Sequence, residues 1–142
     1  MLNSILLVDD DRATNFIHKM VIEESGLFKE CHVRENGEEA LQFLMNSDAD
    51  RGSPDVIVLD INMPVMNGWE FIEALSEFEE VQKPNVVVVM LTTSLNPDDR
   101  MKAERLAKVD RFYLKPLNQE MLEEIVMIGR SEMGSSPSSH GG

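Results

Sequence analysis

Ile5-Leu6-Leu7-Val8-Asp9-Asp10-Asp11 is the stretch on which the fold turns: four apolar residues run straight into three acids. An uninterrupted apolar run of this length, closed by a polar break, reads as a strand covered on both faces. The acids then stand where that strand leaves its sheet. Directly behind them, Ala13, Phe16, Ile17, Met20 and Val21 recur at helical spacing. The spacing predicts a helix over residues 12–24 that packs this apolar face on the sheet. A strand followed by its covering helix is the opening half of a parallel βαβ unit.

Outward from there the pattern repeats. Strand-like runs occupy residues 4–8, 30–34, 56–59, 86–91 and 111–114, and helical stretches lie at 12–24, 37–45, 68–79, 98–108 and 118–129. The first, third and fourth strands are continuously apolar, as the central strands of a parallel sheet are. The second and fifth alternate: Cys31 and Val33 oppose His32 and Arg34, while Phe112 and Leu114 oppose Arg111 and Tyr113. Alternation suits half-exposed edges. Two edges, three centres and right-handed crossovers agree with an α/β fold, a flavodoxin-like, doubly wound, five-stranded parallel sheet of order 2-1-3-4-5 with five helices.

The 142 residues suffice for one domain, with 42% hydrophobic content to supply its core. The longest apolar run, residues 86–91, falls far short of the ~20 residues of a spanning helix. No basic flank precedes the apolar run 5–8, so no secretory signal is read and a cytoplasmic protein is expected. Cys31 is the single cysteine and forms no internal disulfide. A formal net charge of -13, from 26 acids against 13 bases, repels phosphate backbones and argues against direct nucleic-acid binding. One domain is expected over residues 1–130, followed by a disordered Ser-, Gly- and Pro-rich tail over 131–142. Residues 47–54 read as a polar loop, and the ten methionines mainly as core fill.

Acids ahead of a helix are commonly caps, and Asp11 is read so. Asp9 and Asp10 acquire more meaning from the other strand ends: Asp60 closes the third strand, Thr92 the fourth and Lys115 the fifth. Ligands of open parallel sheets bind beyond the carboxyl ends of the strands, where the strand order reverses. In the order above, the reversal lies between the first and third strands, with Asp9 and Asp10 on one side and Asp60 on the other. Converging carboxylates repel one another and require a cation, and oxygen donors suit Mg²⁺ better than zinc. Lys115 adds positive charge and Thr92 a hydroxyl donor, the groups that hold phosphoryl oxygens. Asp60, alone on the central strand, is the expected nucleophile. A surface lysine and a strand-end threonine would each explain Lys115 and Thr92 taken singly.

Ile5-Leu6-Leu7-Val8-Asp9-Asp10, Asp55-Val56-Ile57-Val58-Leu59-Asp60-Ile61-Asn62-Met63-Pro64, Gly68, Leu91-Thr92-Thr93 and Leu114-Lys115-Pro116 follow one another in a characteristic order. By these motifs residues 1–130 resemble a response regulator receiver domain. The resemblance implies that Asp60 accepts a phosphoryl group from a histidine kinase or a histidine phosphotransfer protein. It implies Mg²⁺ held by Asp10, Asp60 and the backbone carbonyl of Asn62, with Asp9 helping through water, and phosphoryl oxygens held by Lys115 and Thr92. It further implies a switch in which Thr92 moves inward and Phe112 rotates, and a cis Lys115-Pro116 bond. Tyr113 lies one residue past that switch position, on the opposite face.

By the same resemblance the chain is expected to be a stand-alone bacterial two-component regulator, not an enzyme acting on a separate substrate. It signals by docking or onward phosphotransfer to a downstream protein, through the fourth helix, fifth strand and fifth helix, a surface also used for homodimers. The alternative is a phosphorylation-independent, receiver-like adaptor, which has no physical need for Asp9, Asp10, Asp60, Thr92 and Lys115 together. A phosphohydrolase acting on other substrates would need a further general acid. His18 and His32 show no ligand spacing and are read as structural or exposed. Trp69, Phe71, Ile72 and Leu75 are read as helix packing.

Overall fold

A computed structural model describes residues 2–46, 54–79 and 86–134. Elements alternate along the chain as β1(Leu2–Val8), α1(Arg12–Ser25), β2(Phe28–Arg34), α2(Gly37–Met45), β3(Val56–Leu59), α3(Gly68–Glu79), β4(Val87–Thr92), α4(Pro97–Arg105), β5(Arg111–Leu114) and α5(Gln119–Gly134). The strands form one parallel sheet of order β2-β1-β3-β4-β5. The expected fold and order are those observed.

Successive side chains of a strand point to opposite faces, and here both faces are covered. Leu6, Val8, Ile57, Leu59, Val88 and Met90 pack with Phe43 of α2, Phe71 and Leu75 of α3 and Ala103 of α4. The intervening Ile5, Leu7, Val56, Val58, Val87 and Val89 pack with Ile22 of α1 and Leu122, Ile125 and Val126 of α5. This is why residues 5–8, 56–59 and 87–91 of the three central strands are apolar at every position. At the edges the alternation holds: Phe112 joins the first cluster and Tyr113 the second. Of the methionines, Met63 and Met90 are core, but Met20, Met45, Met101 and Met127 are exposed, so the reading of methionine as core fill holds only in part.

The expected packing face of α1 is wrong. Phe16, Ile17 and Met20 are 68%, 54% and 45% exposed, and the helix instead buries Asn15, His18 and Ile22. The cause is polar. The Asn15 side chain donates to the Asp9 carbonyl at 2.7 Å, and the His18 Nε2 accepts from the Leu117 amide at 3.3 Å. These bonds turn the helix so that positions 15, 18 and 22 meet the sheet and Phe16, Ile17 and Met20 face outward, while Val21 of the expected row still packs partly against the core.

Smaller differences have local causes. α4 stops at Arg105 rather than near residue 108, because Leu106 adopts an extended backbone (φ -91°, ψ 116°). Its anchor is Ala103, with Leu106 partly buried beyond the helix, whereas Met101 and Ala107 are exposed. α5 continues past the expected end at residue 129 to Gly134, so residues 131–134 are helix, not tail. The remainder of the expected tail, from residue 135, and residues 47–53 of the expected loop lie outside the described residues.

The orientation of α1 is testable by urea unfolding. Ile17→Lys should change stability by less than about 0.5 kcal/mol, as at an exposed site, whereas Ile22→Ala should cost about 2–5 kcal/mol. The reverse ranking would restore the sequence-based face.

Candidate functional site

The carboxyl ends of β1 and β3 pair in register, Val8 with Leu59, so the residues that follow them, Asp9 and Asp60, emerge side by side. The Asp60 amide donates to the Val8 carbonyl at 3.0 Å, fixing that juxtaposition. One carboxylate oxygen from each of Asp9, Asp10 and Asp60 lies within 4.8 Å of the others. Asp9 and Asp60 are buried, Asp10 exposed. The crevice expected from the strand order is therefore acidic, with one acid open to solvent.

Lys115, just past β5, reaches across the ends of the intervening strands. Its Nζ donates to Asp9 Oδ2 at 2.6 Å and to Asp60 Oδ2 at 3.3 Å. Burial alone would lower the Lys115 pKa, but the hydrogen bond to Asp9 and the charges of both acids prevail and hold it above the ordinary lysine value. The lysine is thus a fixed cation. The remaining acceptor positions are used by main chain: the Ile61 amide donates to Asp60 Oδ1 at 2.7 Å and the Asp11 amide to Asp9 Oδ1 at 2.9 Å. Asp11 itself caps α1, its carboxylate accepting from the Ala13 and Thr14 amides.

Thr92 ends β4 and is buried, with its carbonyl accepting from the Lys115 amide at 2.9 Å and its hydroxyl oxygen from the Ser94 amide at 3.3 Å. Asn62 follows Asp60 on the same loop with its side chain exposed. Phe112 is half-buried beneath the Arg100 guanidinium, 5.1 Å from the ring centre. Tyr113, on the other face, hydrogen-bonds Glu124. The Lys115-Pro116 bond is cis.

The loop between β3 and α3 is shaped by two backbone demands. A Cβ at Gly68 would stand 2.5 Å from the Asp60 carbonyl oxygen and 3.0 Å from the Ile61 Cα, and the Gly68 amide donates to the Ile61 carbonyl at 2.8 Å. Only glycine permits that approach. Val65 has φ 69°, a left-handed conformation that costs a β-branched residue about 1–2 kcal/mol. The loop beside the acids therefore stores strain.

Sequence reasoning did not single out Asn15 and read His18 as structural or exposed; their buried side chains bond to the Asp9 carbonyl and the Leu117 amide. Their i, i+3 spacing, with Ile22 a turn later, was the available signal, and the stronger apolar row beside it masked it. Burial, aided by the charge of Lys115, lowers the His18 pKa. Burial pushes the Cys31 thiol up to about 11, so it is no nucleophile at neutral pH. Trp69 is partly buried against the core, with Lys102 Nζ 4.7 Å from its ring centre. It lines a cleft of about 560 Å³ between α3 and α4 that includes none of Asp9, Asp10 and Asp60.

A family model described as response regulator receiver domain matches residues 5–127. The chain is 29% identical over 126 residues to the chemotaxis protein CheY of Halobacterium salinarum, covering 89% of this chain and 95% of that one. It is 30% identical over 124 residues to the response regulator Rcp1 of a Synechocystis strain, covering 86% and 82%. Among solved structures, a two-component response regulator from Cytophaga hutchinsonii superposes with a TM-score of 0.81 at 31% identity, covering 94% of this chain and 98% of the other.

Two measurements probe the site's supports. Gly68→Ala should cost about 1–3 kcal/mol, the usual effect of overpacking, because the added methyl meets main-chain atoms that cannot rotate away. Because burial holds the His18 pKa below the ordinary histidine value of 6.5, the unfolded chain takes up the proton first, so stability should be intact above that value and fall as pH drops through it. Urea midpoints at about pH 7.5 and about pH 5.5 should differ more in wild type than in His18→Gln.

Proposed function

The chain belongs to the response regulator receiver domain family, and we propose that Asp60 is its phosphoacceptor, charged by a histidine kinase or a histidine phosphotransfer protein. The observation that carries this reading is the bridge from Lys115 to both Asp9 and Asp60 within a three-carboxylate crevice. A structural ion pair needs one acid; three converging acids with one cation describe a site built for further positive charge and an anionic guest.

Family members act as signalling modules, and the chemistry proposed here is confined to the chain's own aspartate. A carboxylate oxygen of Asp60 attacks phosphorus, the bond from phosphorus to the donor's imidazole nitrogen breaks, and that nitrogen keeps the electron pair. The product is an acyl phosphate, which water returns to carboxylate and inorganic phosphate. Lys115 moves its hydrogen bond from the carboxylate to a phosphoryl oxygen, and the Thr92 hydroxyl supports another. Both act by placement and charge, the main sources of catalysis in phosphoryl transfer.

The donor set fits Mg²⁺, being all oxygen with no histidine or cysteine in the cluster. Asp10, Asp60 and the backbone carbonyl of Asn62 would hold the ion, with Asp9 contributing through water. Once bound, it supplies positive charge that neutralises the transferring phosphoryl group.

The signal leaves through α4, β5 and α5. α4 buries one residue, Ala103, and an element with so few apolar contacts opens at low free energy. Exposed Leu95, Met101 and Leu114 lie along this region, and Phe112 beneath Arg100 connects it to the strand that delivers Lys115. A downstream protein or a second copy of the chain docks here. No helix among the described residues is long and apolar enough to cross a membrane.

Intact-mass measurement after incubation with acetyl phosphate and Mg²⁺ tests the reading. Wild type should gain the mass of one phosphoryl group, and the gain should vanish in Asp60→Asn or when Mg²⁺ is chelated. Folded wild type that gains nothing would instead support the constitutive adaptor.

A further inference from the structure

The buried face of α1 contains two polar side chains where its own sequence offers phenylalanine and isoleucine. Asn15 and His18 are 5% and 3% exposed, whereas Phe16 and Ile17 face solvent. Burying polar groups in place of available apolar ones lowers stability unless their hydrogen bonds are made. One of these groups is left unsatisfied: Asn15 Oδ1 is buried and accepts no hydrogen bond from the described residues. Core packing alone does not account for such a choice.

The partners of the two side chains do. The Asn15 amide group donates to the carbonyl of Asp9, whose carboxylate receives Lys115. His18 Nε2 accepts from the amide of Leu117, two residues beyond Lys115. The ends of the Lys115–Asp9 ion pair are thus each tied to one helical face. With Asp9 and Asp60, Asn15 and His18 line a cavity of about 10 Å³ whose other walls are apolar residues of β1, β3 and β4.

From this geometry we infer that His18 is a positioning residue for phosphoryl transfer, setting the placement of Lys115 through Leu117, while Asn15 does the same for the Asp9 backbone. The inference rests on the proposed role of Asp60 and Lys115. To accept from an amide, the Nε2 of His18 carries no proton, so the neutral ring is protonated at Nδ1. Glutamine presents an acceptor at a similar reach; leucine fills the volume without one.

The test measures the rate of phosphorylation by acetyl phosphate with saturating Mg²⁺ in wild type, His18→Leu, His18→Gln, Lys115→Ala and the Lys115→Ala, His18→Leu double variant. His18→Leu should slow phosphorylation about tenfold, since small misplacements of a catalytic group carry large rate penalties. His18→Gln should return it to within about twofold, and adding His18→Leu to Lys115→Ala should change the rate by less than about twofold, as expected of residues acting through one another. A folded His18→Leu that reacts at the wild-type rate overturns the inference. So does an equal slowing with and without Lys115, which would mark a packing defect. A wild type that takes no phosphoryl group overturns the underlying site reading as well, which separates the two failures. If His18→Leu does not fold, the long-range ¹H–¹⁵N spectrum of wild-type His18 decides: an Nδ1-protonated ring supports the inference, and an Nε2-protonated ring overturns it.

Discussion

The ammonium of Lys115 is the constraint around which the carboxyl edge of the sheet is arranged. Two carboxylates ~4 Å apart repel by about 4 kcal/mol in surroundings of intermediate dielectric, and Asp9 and Asp60 are both buried. One cation within hydrogen-bonding distance of each turns that repulsion into a bridge. Lys115 arrives from the edge strand, while its partners follow the two central strands on the far side of β4. The bridge therefore exists only when four strands are correctly paired. Buried ion pairs of this kind contribute geometry more dependably than net stability.

The surroundings of the bridge are correspondingly exact in their backbone. Main-chain amides of Asp11 and Ile61 occupy the carboxylate oxygens that Lys115 leaves. Gly68 lets α3 begin against the Asp60 carbonyl, and Val65 accepts a strained conformation so that the loop can return. Rigid supports stand on the β1, β3 and α1 side. Toward β5 the structure is looser, with α4 anchored by Ala103 and Phe112 covered by a solvent-facing arginine. A site fixed on one flank and weakly held on the other can report its occupancy by moving the weak flank.

α1 belongs to the fixed flank, and its orientation explains an otherwise costly surface. By directing Asn15 and His18 inward, the helix exposes Phe16, Ile17 and Met20. Exposed apolar residues grouped on one helical face commonly mark a contact surface. Polar anchoring inside and apolar exposure outside are two consequences of one rotation.

The chain's periodicities alone determined the α/β class, the five strands, the division into central and edge strands, and the residues that close β1, β3, β4 and β5. These follow from local patterns, continuous runs for strands covered twice and alternation for strands covered once, and they are written in consecutive residues. Asp9, Asp10, Asp60, Thr92 and Lys115 were legible for the same reason, since each stands at the end of such a run. Only the tertiary structure decided that Lys115 bridges Asp9 and Asp60, that Gly68 is required by the Asp60 carbonyl, and which face α1 buries. Those outcomes depend on atoms distant in sequence: the amide of Leu117 meets a ring 99 positions earlier. Hydrophobic spacing measures how well a helix could bury a face, but two buried hydrogen bonds to other elements determine which face it does.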